Sequence, residues 1–265
     1  MSLTPAPPPE HVRMAFGIKS TDNELLDGGP MWRCGDVTLR PVADPVQAAW
    51  VAQTLDGLDI PGVRVARPLR SMDGRWVVGR WTAMRYLDGR AEPRHDEVVS
   101  VAVRLHQSTI SLPRPKFLES RADVFAMADR AAWGEQDAPL NADLGGRLFT
   151  VLSGSSRETS LMSQLVHGDL FGKVYFSPNE PPAVVDFVPF WRPAEWAAAV
   201  VVVDSMAWGG ADGGIVRRWA HLPEWPQMLL RALLFRLAVH ALHPHSTRES
   251  MTGLERVAHQ LTEVV

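Results

Sequence analysis

The sequence contains one cysteine, Cys34, among 265 residues. A single cysteine cannot form an intrachain disulfide or build a cysteine-based metal site, and this usage fits a reducing cytosol. A surplus of basic residues is also missing, because 27 Lys and Arg stand against 30 Asp and Glu, a net charge of -3. Nonspecific nucleic-acid binding depends on neutralising phosphates, so we do not expect it here.

The sequence also lacks an apolar run long enough to cross a membrane. Its most apolar stretch, WAAAVVVVDSMAW at 196–208, is too short and contains Asp204, so a buried helix is predicted. The start, MSLTPAPPPEHVRMAFG, has neither the basic residues nor the apolar core of a secretory signal. Its prolines predict a loose arm over residues 1–13. We therefore expect a cytoplasmic protein without membrane contact.

Turn residues and alternating apolar positions predict a small antiparallel sheet over residues 14–88. One helix is predicted within this region at 44–58, with Asp44 as its N-cap and Pro45 as its first residue. The predicted strands occupy three stretches: 24–42, which reads as three strands joined by glycine turns, 63–71 and 74–87.

The pattern becomes helical beyond a predicted linker near Leu87–Pro93. Apolar residues at helical spacing predict helices at 94–109, 120–133, 194–208, 223–243 and after Thr247. A β-rich lobe at 14–88 and a helical lobe at 89–265 together give an α+β chain of two lobes.

Two aspartates each follow an apolar run in LVHGDLFGKVYFSPNEPPAVVDF, residues 165–187. Asp169 stands where a strand enters a loop, and Asp186 closes a second strand, so a hairpin is expected to bring the two carboxylates to one place. Such a pair suits phosphoryl transfer, in which one carboxylate accepts the proton of a hydroxyl substrate and the other holds Mg²⁺. For either aspartate alone, the alternative is a turn cap.

HGDL followed by VVDF resembles the motifs of the aminoglycoside phosphotransferase superfamily, whose members have the two-lobe protein-kinase-like fold. Within that superfamily the chain most resembles a group of actinobacterial proteins that carry HGDL, GN, PPAVIDFSPYWRP and AVVVVD. The likeness runs from about Ala15 to the C-terminal helices and is strongest over 165–208. It implies ATP and Mg²⁺ as cofactors and a small hydroxyl-bearing substrate.

The resemblance implies a role for each matched residue. Asp169 corresponds to the catalytic aspartate, and Asp186 corresponds to the aspartate that binds the metal. His167 would buttress the catalytic loop, and Asp204 would pin the backbone of that loop from the following helix.

On the nucleotide side, the resemblance assigns Gly28 and Gly29 to the hairpin that covers the nucleotide. RWTAMRYLDG, at 80–89, would form the hinge that reads the adenine. Arg40 occupies the strand position of a phosphate-pairing lysine. Arginine also binds phosphate, but its planar fork does not sit where an ammonium would.

Further departures from the family pattern bear on activity. Lys173 stands where the relatives place an asparagine that binds the metal, and a protonated lysine cannot coordinate Mg²⁺. Lys173 could hold phosphate oxygens as part of the catalytic site, or it could make the site incompetent. The helix at 44–58 contains no glutamate to orient Arg40, and Pro30 stiffens a short glycine hairpin.

The sequence leaves functions of different classes open. One is an ATP-dependent phosphotransferase acting on a small hydroxyl-bearing metabolite. Another is a kinase-fold protein without phosphoryl transfer, which binds a nucleotide, a ligand or a protein partner; non-kinase chemistry in the same cleft is a third. Polycationic aminoglycosides are disfavoured as substrates, because 209–245 offers only Asp212 and Glu224 as acidic residues.

Overall fold

The computed structural model of the chain describes residues 6–26 and 29–262. Two compact units make up the chain. Unit 1 runs to Arg90 and includes Tyr175–Asp186, and unit 2 comprises Ala91–Val174 and the chain from Phe187 onward. The sequence placed residues 175–186 in the helical lobe; a strand in that segment pairs instead with a strand of unit 1.

The chain forms short strands and mostly longer helices. The strands are β1 (Glu24–Leu26), β2 (Met31–Cys34), β3 (Val37–Pro41), β4 (Arg64–Val65), β5 (Pro68–Leu69), β6 (Val77–Val78), β7 (Trp81–Arg85), β8 (Gln164–His167), β9 (Val174–Tyr175), β10 (Ala183–Val184) and β11 (Pro189–Arg192). The α-helices are α1 (Glu10–Ala15), α2 (Pro45–Gly57), α3 (His95–Thr109), α4 (Val124–Ala132), α5 (Gly146–Ser153), α6 (Ala194–Ala207), α7 (Gly214–Arg218), α8 (Trp225–Leu242) and α9 (Arg248–Leu261). Two 3₁₀ turns lie at Lys116–Glu119 and Ala142–Leu144.

Unit 1 is built on an antiparallel sheet with strand order β1-β2-β3-β7-β5, and β6 pairs with β7. The register sets Arg40 of β3 opposite Thr82 of β7. In a second sheet β10 runs parallel to β4, with Val184 beside Val65. This pairing fixes the segment that leads to Asp186 within unit 1.

Residues 10–13 differ from the expected loose arm, because they form the first part of α1. Val12 of this helix is fully buried in a core that includes Phe16, Trp32 and Leu39. Burying an apolar side chain of this size contributes about 1.5–3 kcal/mol, which outweighs the tendency of the preceding prolines to leave the chain extended. Pro9 instead stands at the N-cap, where it does not interrupt the helix.

Unit 2 is organised around α6 and α8, whose residues are buried along most of their length. Three aromatic rings, those of Phe190, Trp196 and Phe235, meet with centroids 5.3–5.6 Å apart. β8 and β11 form an antiparallel pair beside this cluster, with His167 opposite Pro189. The helical unit and the antiparallel sheet unit give the α+β class predicted from the sequence.

Across residues 6–26 and 29–262, no helix combines the length and the apolar character needed to cross a membrane.

Candidate functional site

The catalytic-type loop of unit 2 begins where β8 ends at His167. The backbone N–H of Asp169 donates to Nδ1 of His167 at 3.1 Å, and the N–H of Gly168 donates to the carbonyl of Val188 at 3.0 Å. A Cβ at Gly168 would lie 2.3 Å from Cδ2 of Phe190, so a larger residue does not fit. These contacts hold the loop against β8 and β11, with Asp169 two residues beyond the end of β8.

A buried histidine of α3 supports the same loop from below. Nε2 of His106 accepts the backbone N–H of His167 at 3.0 Å. Thr109, one turn further along α3, donates its hydroxyl to the carbonyl of Leu165 at 2.7 Å. The strand that delivers Asp169 is therefore bound to α3 by side-chain hydrogen bonds as well as to β11.

The carboxylate of Asp169 is held by an arginine that sequence reasoning missed. Nη2 of Arg236, on α8, lies 2.8 Å from Oδ1 of Asp169. The Asp169 side chain is 27% exposed, so the remainder of the carboxylate stays accessible at the surface of unit 2. A fixed, partly exposed carboxylate has the attributes of a general base.

Arg236 also binds Asp204 of α6. Its Nε donates to Oδ1 of Asp204 at 2.7 Å, and its Nη2 donates to Oδ2 of the same carboxylate. Burial raises the pKa of Asp204 to about 6, with Arg236 opposing this and the charge of Asp169 adding to it. Burial disfavours the charge on Arg236, but Asp204 and Asp169 outweigh it and raise the pKa of the guanidinium. Asp204 thus binds Arg236, whereas the resemblance to the phosphotransferase superfamily implied a contact with the backbone of the catalytic loop.

The sequence contained a signal for Arg236. The stretch LLRALLFRLAVHAL of α8 is apolar except for Arg231, Arg236 and His240, and all three are buried. A buried guanidinium requires partners, so an arginine in such a helix indicates nearby carboxylates or carbonyl groups. Periodicity alone does not tell which partners these are.

Lys173 completes a tight turn after Asp169. Its backbone N–H donates to the carbonyl of Leu170 at 2.9 Å, and Gly172 adopts a φ of 75° at the third position of the turn. A type II turn requires positive φ at that position, which glycine adopts without strain. The turn fixes the backbone at Lys173, and its side chain is half-buried.

Arg40 and Asp186 form an ion pair in unit 1. Nη1 of Arg40 lies 2.5 Å from Oδ1 of Asp186, and the two side chains are 32% and 7% exposed. Arg40 projects from β3, and Asp186 follows β10 by two residues. Asp186 therefore supplies the carboxylate that pairs with Arg40, whereas α2 contains no glutamate.

The glycine hairpin is described only in part. Gly28 lies outside the described residues. Gly29 has a φ of 150°, and its carbonyl accepts the N–H of Met31 at 2.8 Å, which closes the turn before β2. Its nucleotide-binding role stays a prediction.

The donor set does not form a cage for a resident metal ion. Within the described parts of the chain, no group of three or more His, Cys, Asp or Glu side chains could hold one. Asp186 offers a carboxylate that is already paired with Arg40. The ammonium of Lys173 cannot coordinate a metal ion while it is protonated. Mg²⁺ in phosphoryl-transfer sites is bound by one or two carboxylates plus the phosphates. These residues therefore fit a magnesium ion that arrives with a nucleotide.

Arg192, which follows the second aspartate in the sequence, has a structural role in unit 2. Its guanidinium binds Asp129 at 2.8 and 2.9 Å and Glu135 at 2.6 and 2.8 Å. A cavity of about 490 Å³ opens beside this network, and neither Asp169, Lys173 nor Arg236 lines it. The cavity is therefore separate from the candidate site.

Comparison with known proteins gives structural neighbours only. No family model matches the chain. No curated protein is significantly similar in sequence. The solved structure of amicoumacin kinase hAmiN, in complex with AMP-PNP, Ca²⁺ and Ami, superposes with a TM-score of 0.59 at 12% identity, over 97% of this chain and 92% of that one.

Two further neighbours are kinases of other small molecules. Choline kinase LicA from Streptococcus pneumoniae gives a TM-score of 0.59 at 11% identity, over 96% of this chain and 98% of that one. Aminoglycoside phosphotransferase APH(4)-Ia, in a ternary complex with ADP and hygromycin B, gives 0.54 at 12% identity, over 96% of both chains. Identities this low show the fold alone, and the chain has the two-lobe kinase-like fold that the sequence predicted.

Proposed function

We propose that the chain is an ATP-dependent phosphotransferase acting on a small compound that carries a hydroxyl group. The observation that carries the proposal is the setting of Asp169, a carboxylate whose loop is held by His167, whose Oδ1 is held by Arg236, and whose side chain is 27% exposed. The fold shared with three kinds of small-molecule kinase supports it.

Asp169 acts as the base in this proposal. The arginine on Oδ1 fixes the orientation of the carboxylate, and the substrate hydroxyl donates its proton to Asp169 as the hydroxyl oxygen attacks the terminal phosphorus of ATP. The phosphoryl group moves to the hydroxyl oxygen, and ADP leaves. The protein contributes positioning and charge in such a reaction more than covalent chemistry.

Arg40 and Asp186 change partners when the nucleotide binds. The phosphates would attract Arg40 away from the carboxylate, and Asp186 would be the residue that holds a magnesium ion accompanying the nucleotide. Magnesium supplies neutralisation of the charge on the transferred group. Lys173 adds a second cation for phosphate oxygens, in place of the missing amide ligand. The hairpin at Gly29 covers the nucleotide.

The acceptor in this proposal is neutral or anionic. Asp212 and Glu224, the acidic residues of 209–245, are both engaged within unit 2. Asp212 accepts the N–H of Gly214 at 2.7 Å, and Glu224 accepts the N–H and hydroxyl of Ser160 at 2.9 and 2.6 Å. Binding a polycation requires a dense acidic surface, which two carboxylates that already accept hydrogen bonds do not provide.

A second candidate is a protein that binds a nucleotide, another ligand or a protein partner without phosphoryl transfer. The Arg40–Asp186 pair favours it, because the nearly buried carboxylate is already neutralised at 2.5 Å. If a nucleotide cannot separate this pair, Asp186 never meets magnesium and transfer does not occur.

Calorimetric titration with ATP and Mg²⁺ separates the candidates. Parent protein and the Asp186→Asn variant are compared with Asp36→Asn, which removes an exposed carboxylate 3.4 Å from Arg85 in the same unit. We expect binding by the parent and by Asp36→Asn and weaker, magnesium-independent binding by Asp186→Asn. A parent that binds no nucleotide would exclude the phosphotransferase.

A turnover assay then tests transfer itself. ADP formation is followed with a panel of neutral polyols and sugar acids, with cationic amino alcohols as the comparison, for the parent and for Asp169→Asn. We expect at least one neutral or anionic acceptor to be phosphorylated by the parent and Asp169→Asn to bind the nucleotide without turnover. Nucleotide binding without phosphorylation of any acceptor would favour the second candidate.

A further inference from the structure

Arg236 is shared between a buried aspartate and the aspartate of the catalytic-type loop. We propose that Arg236 is the positioning residue for Asp169, and that Asp204 acts on Asp169 through this one guanidinium. The proposal rests on the phosphotransferase function proposed above, because it concerns how the base of that reaction is held in place. The fold comparison assigns no role to Arg236.

The contacts of Arg236 with the two aspartates depend on the planar shape of its guanidinium. Nε and Nη2 face the two oxygens of Asp204, and Nη2 also faces Oδ1 of Asp169 at 2.8 Å. One planar group therefore sets the angle between the two carboxylates. A lysine ammonium carries its charge at a point and cannot fix that plane.

Burial makes the arrangement rigid. Arg236 and Asp204 are almost entirely inaccessible to solvent, and the guanidinium carbon lies 5.1 Å from the centre of the Phe235 ring. Removing one partner of a buried ion pair leaves an uncompensated buried charge, which is strongly destabilising. The Asp169 carboxylate is therefore held by a guanidinium that is itself buried and paired with Asp204.

The bond to Asp169 is the part that packing does not explain. The two hydrogen bonds to Asp204 already pair the Arg236 charge inside the unit. The third hydrogen bond joins Nη2 of Arg236 to Asp169, a partly exposed carboxylate on a loop. It also keeps two carboxylates of like charge close together, because the cation between them offsets their repulsion. This is the arrangement expected of a support for a base.

The activity test compares Arg236→Lys with Arg231→Lys. Arg231 lies on the same helix, is also buried, and donates to the carbonyl oxygens of Ala132 and Arg157 at 2.9 and 2.8 Å. We expect Arg236→Lys to lower kcat about 100-fold while KM for ATP changes less than about threefold, because misplacement of a catalytic group by ~1 Å has that effect. Arg231→Lys should keep the parental kcat. Equal kcat in Arg236→Lys and the parent would overturn the proposal.

A neutral double variant guards against loss of folding. Arg236→Gln combined with Asp204→Asn removes the cation and the buried carboxylate together, so no buried charge is left uncompensated. We expect this variant to unfold cooperatively and bind ATP as the parent does, but to have a kcat lower by about 100-fold or more. A folded double variant with the parental kcat would contradict the assignment.

A stability measurement tests the contact without relying on turnover. Urea unfolding of the parent, Asp169→Asn, Arg236→Gln and the combination forms a double-mutant cycle. We expect a coupling of about tenfold in the unfolding equilibrium constant between Asp169 and Arg236. Coupling near onefold would show that the contact is absent. A parent with this coupling but no ATP turnover would sink the phosphotransferase and leave the contact established.

Discussion

Nη1 of Arg40 on β3 lies 2.5 Å from Oδ1 of Asp186, so the cation expected to bind phosphate and the carboxylate expected to bind metal are paired with each other. Neither charge depends on a glutamate from α2, which contains none. The ion pair leaves the two charges neutralised by each other. In the proposed phosphotransferase, a nucleotide would have to break this pair in order to bind.

We expect Arg40→Gln to raise the Kd for ATP with Mg²⁺ by about 10- to 100-fold, since a charge-assisted hydrogen bond contributes about 1.5–3 kcal/mol. Calorimetry measures the affinity. The matched control is Arg85→Gln, which removes an exposed arginine from the same sheet, 3.4 Å from Asp36. An Arg40→Gln variant that binds as tightly as the parent would remove Arg40 from the nucleotide site.

We expect Lys173→Asn to make nucleotide binding more dependent on magnesium. In the proposed site, the variant loses a cation for the phosphate oxygens and gains an amide oxygen that can coordinate the metal. ATP affinity in EDTA should fall about tenfold, whereas affinity in excess Mg²⁺ should fall less or rise. Lys116→Asn, at an exposed position of unit 2, is the control. Equal losses in both buffers would contradict this role.

Much of the fold could be predicted, because local patterns determined it. Asp44 caps α2 through its side chain, as its position before Pro45 indicates. The predicted helix at 94–109 is observed at His95–Thr109. α5 and α7 were not predicted, because each is short and the sequence pattern over so few residues is weak.

The candidate site was only partly predictable. The motifs indicated Asp169 and Asp186 as chemistry-bearing residues, and the structure gives each an arginine partner. Those partners, Arg40 and Arg236, lie 146 and 67 positions away along the chain, so no local pattern could connect them. Long-range pairs of this kind depend on how elements pack.

We expect Gly168→Ala to destabilise the protein by about 1–3 kcal/mol, because the new Cβ would lie 2.3 Å from Cδ2 of Phe190 in a packed core. The Asp169 loop should move with it, so turnover should fall as well. Gly57→Ala, at the end of α2 with nothing within 4 Å of the new Cβ, should change stability by less than about 0.5 kcal/mol. Urea unfolding measures both. A Gly168→Ala variant as stable as Gly57→Ala would contradict the close approach of Phe190.

We expect His106 to make the stability of the protein depend on pH. Burial, reinforced by His167, lowers the pKa of His106 from its ordinary 6.5 to about 3. Nε2 accepts the N–H of His167 at 3.0 Å, and Nδ1 is buried with no hydrogen-bond partner among the described residues. If the ring were charged, its Nε2–H would face the backbone N–H of His167, and its Nδ1–H would have no acceptor among the described residues. The folded protein therefore keeps this ring neutral.

The direction in which stability changes with pH follows from whether the folded or the unfolded chain binds the proton. Between pH 6.5 and about 3 the unfolded chain binds a proton at His106 and the folded chain does not, so stability falls as the pH falls through this window. Near pH 5 the loss from this group is about 2 kcal/mol. His106→Gln places an amide oxygen close to the Nε2 position and does not titrate. We expect it to lose less stability than the parent between pH 7.5 and pH 5, measured by urea unfolding. His243→Gln, at a position near the surface after α8, should retain the parental pH dependence, and equal losses in all three proteins would remove His106 as the cause.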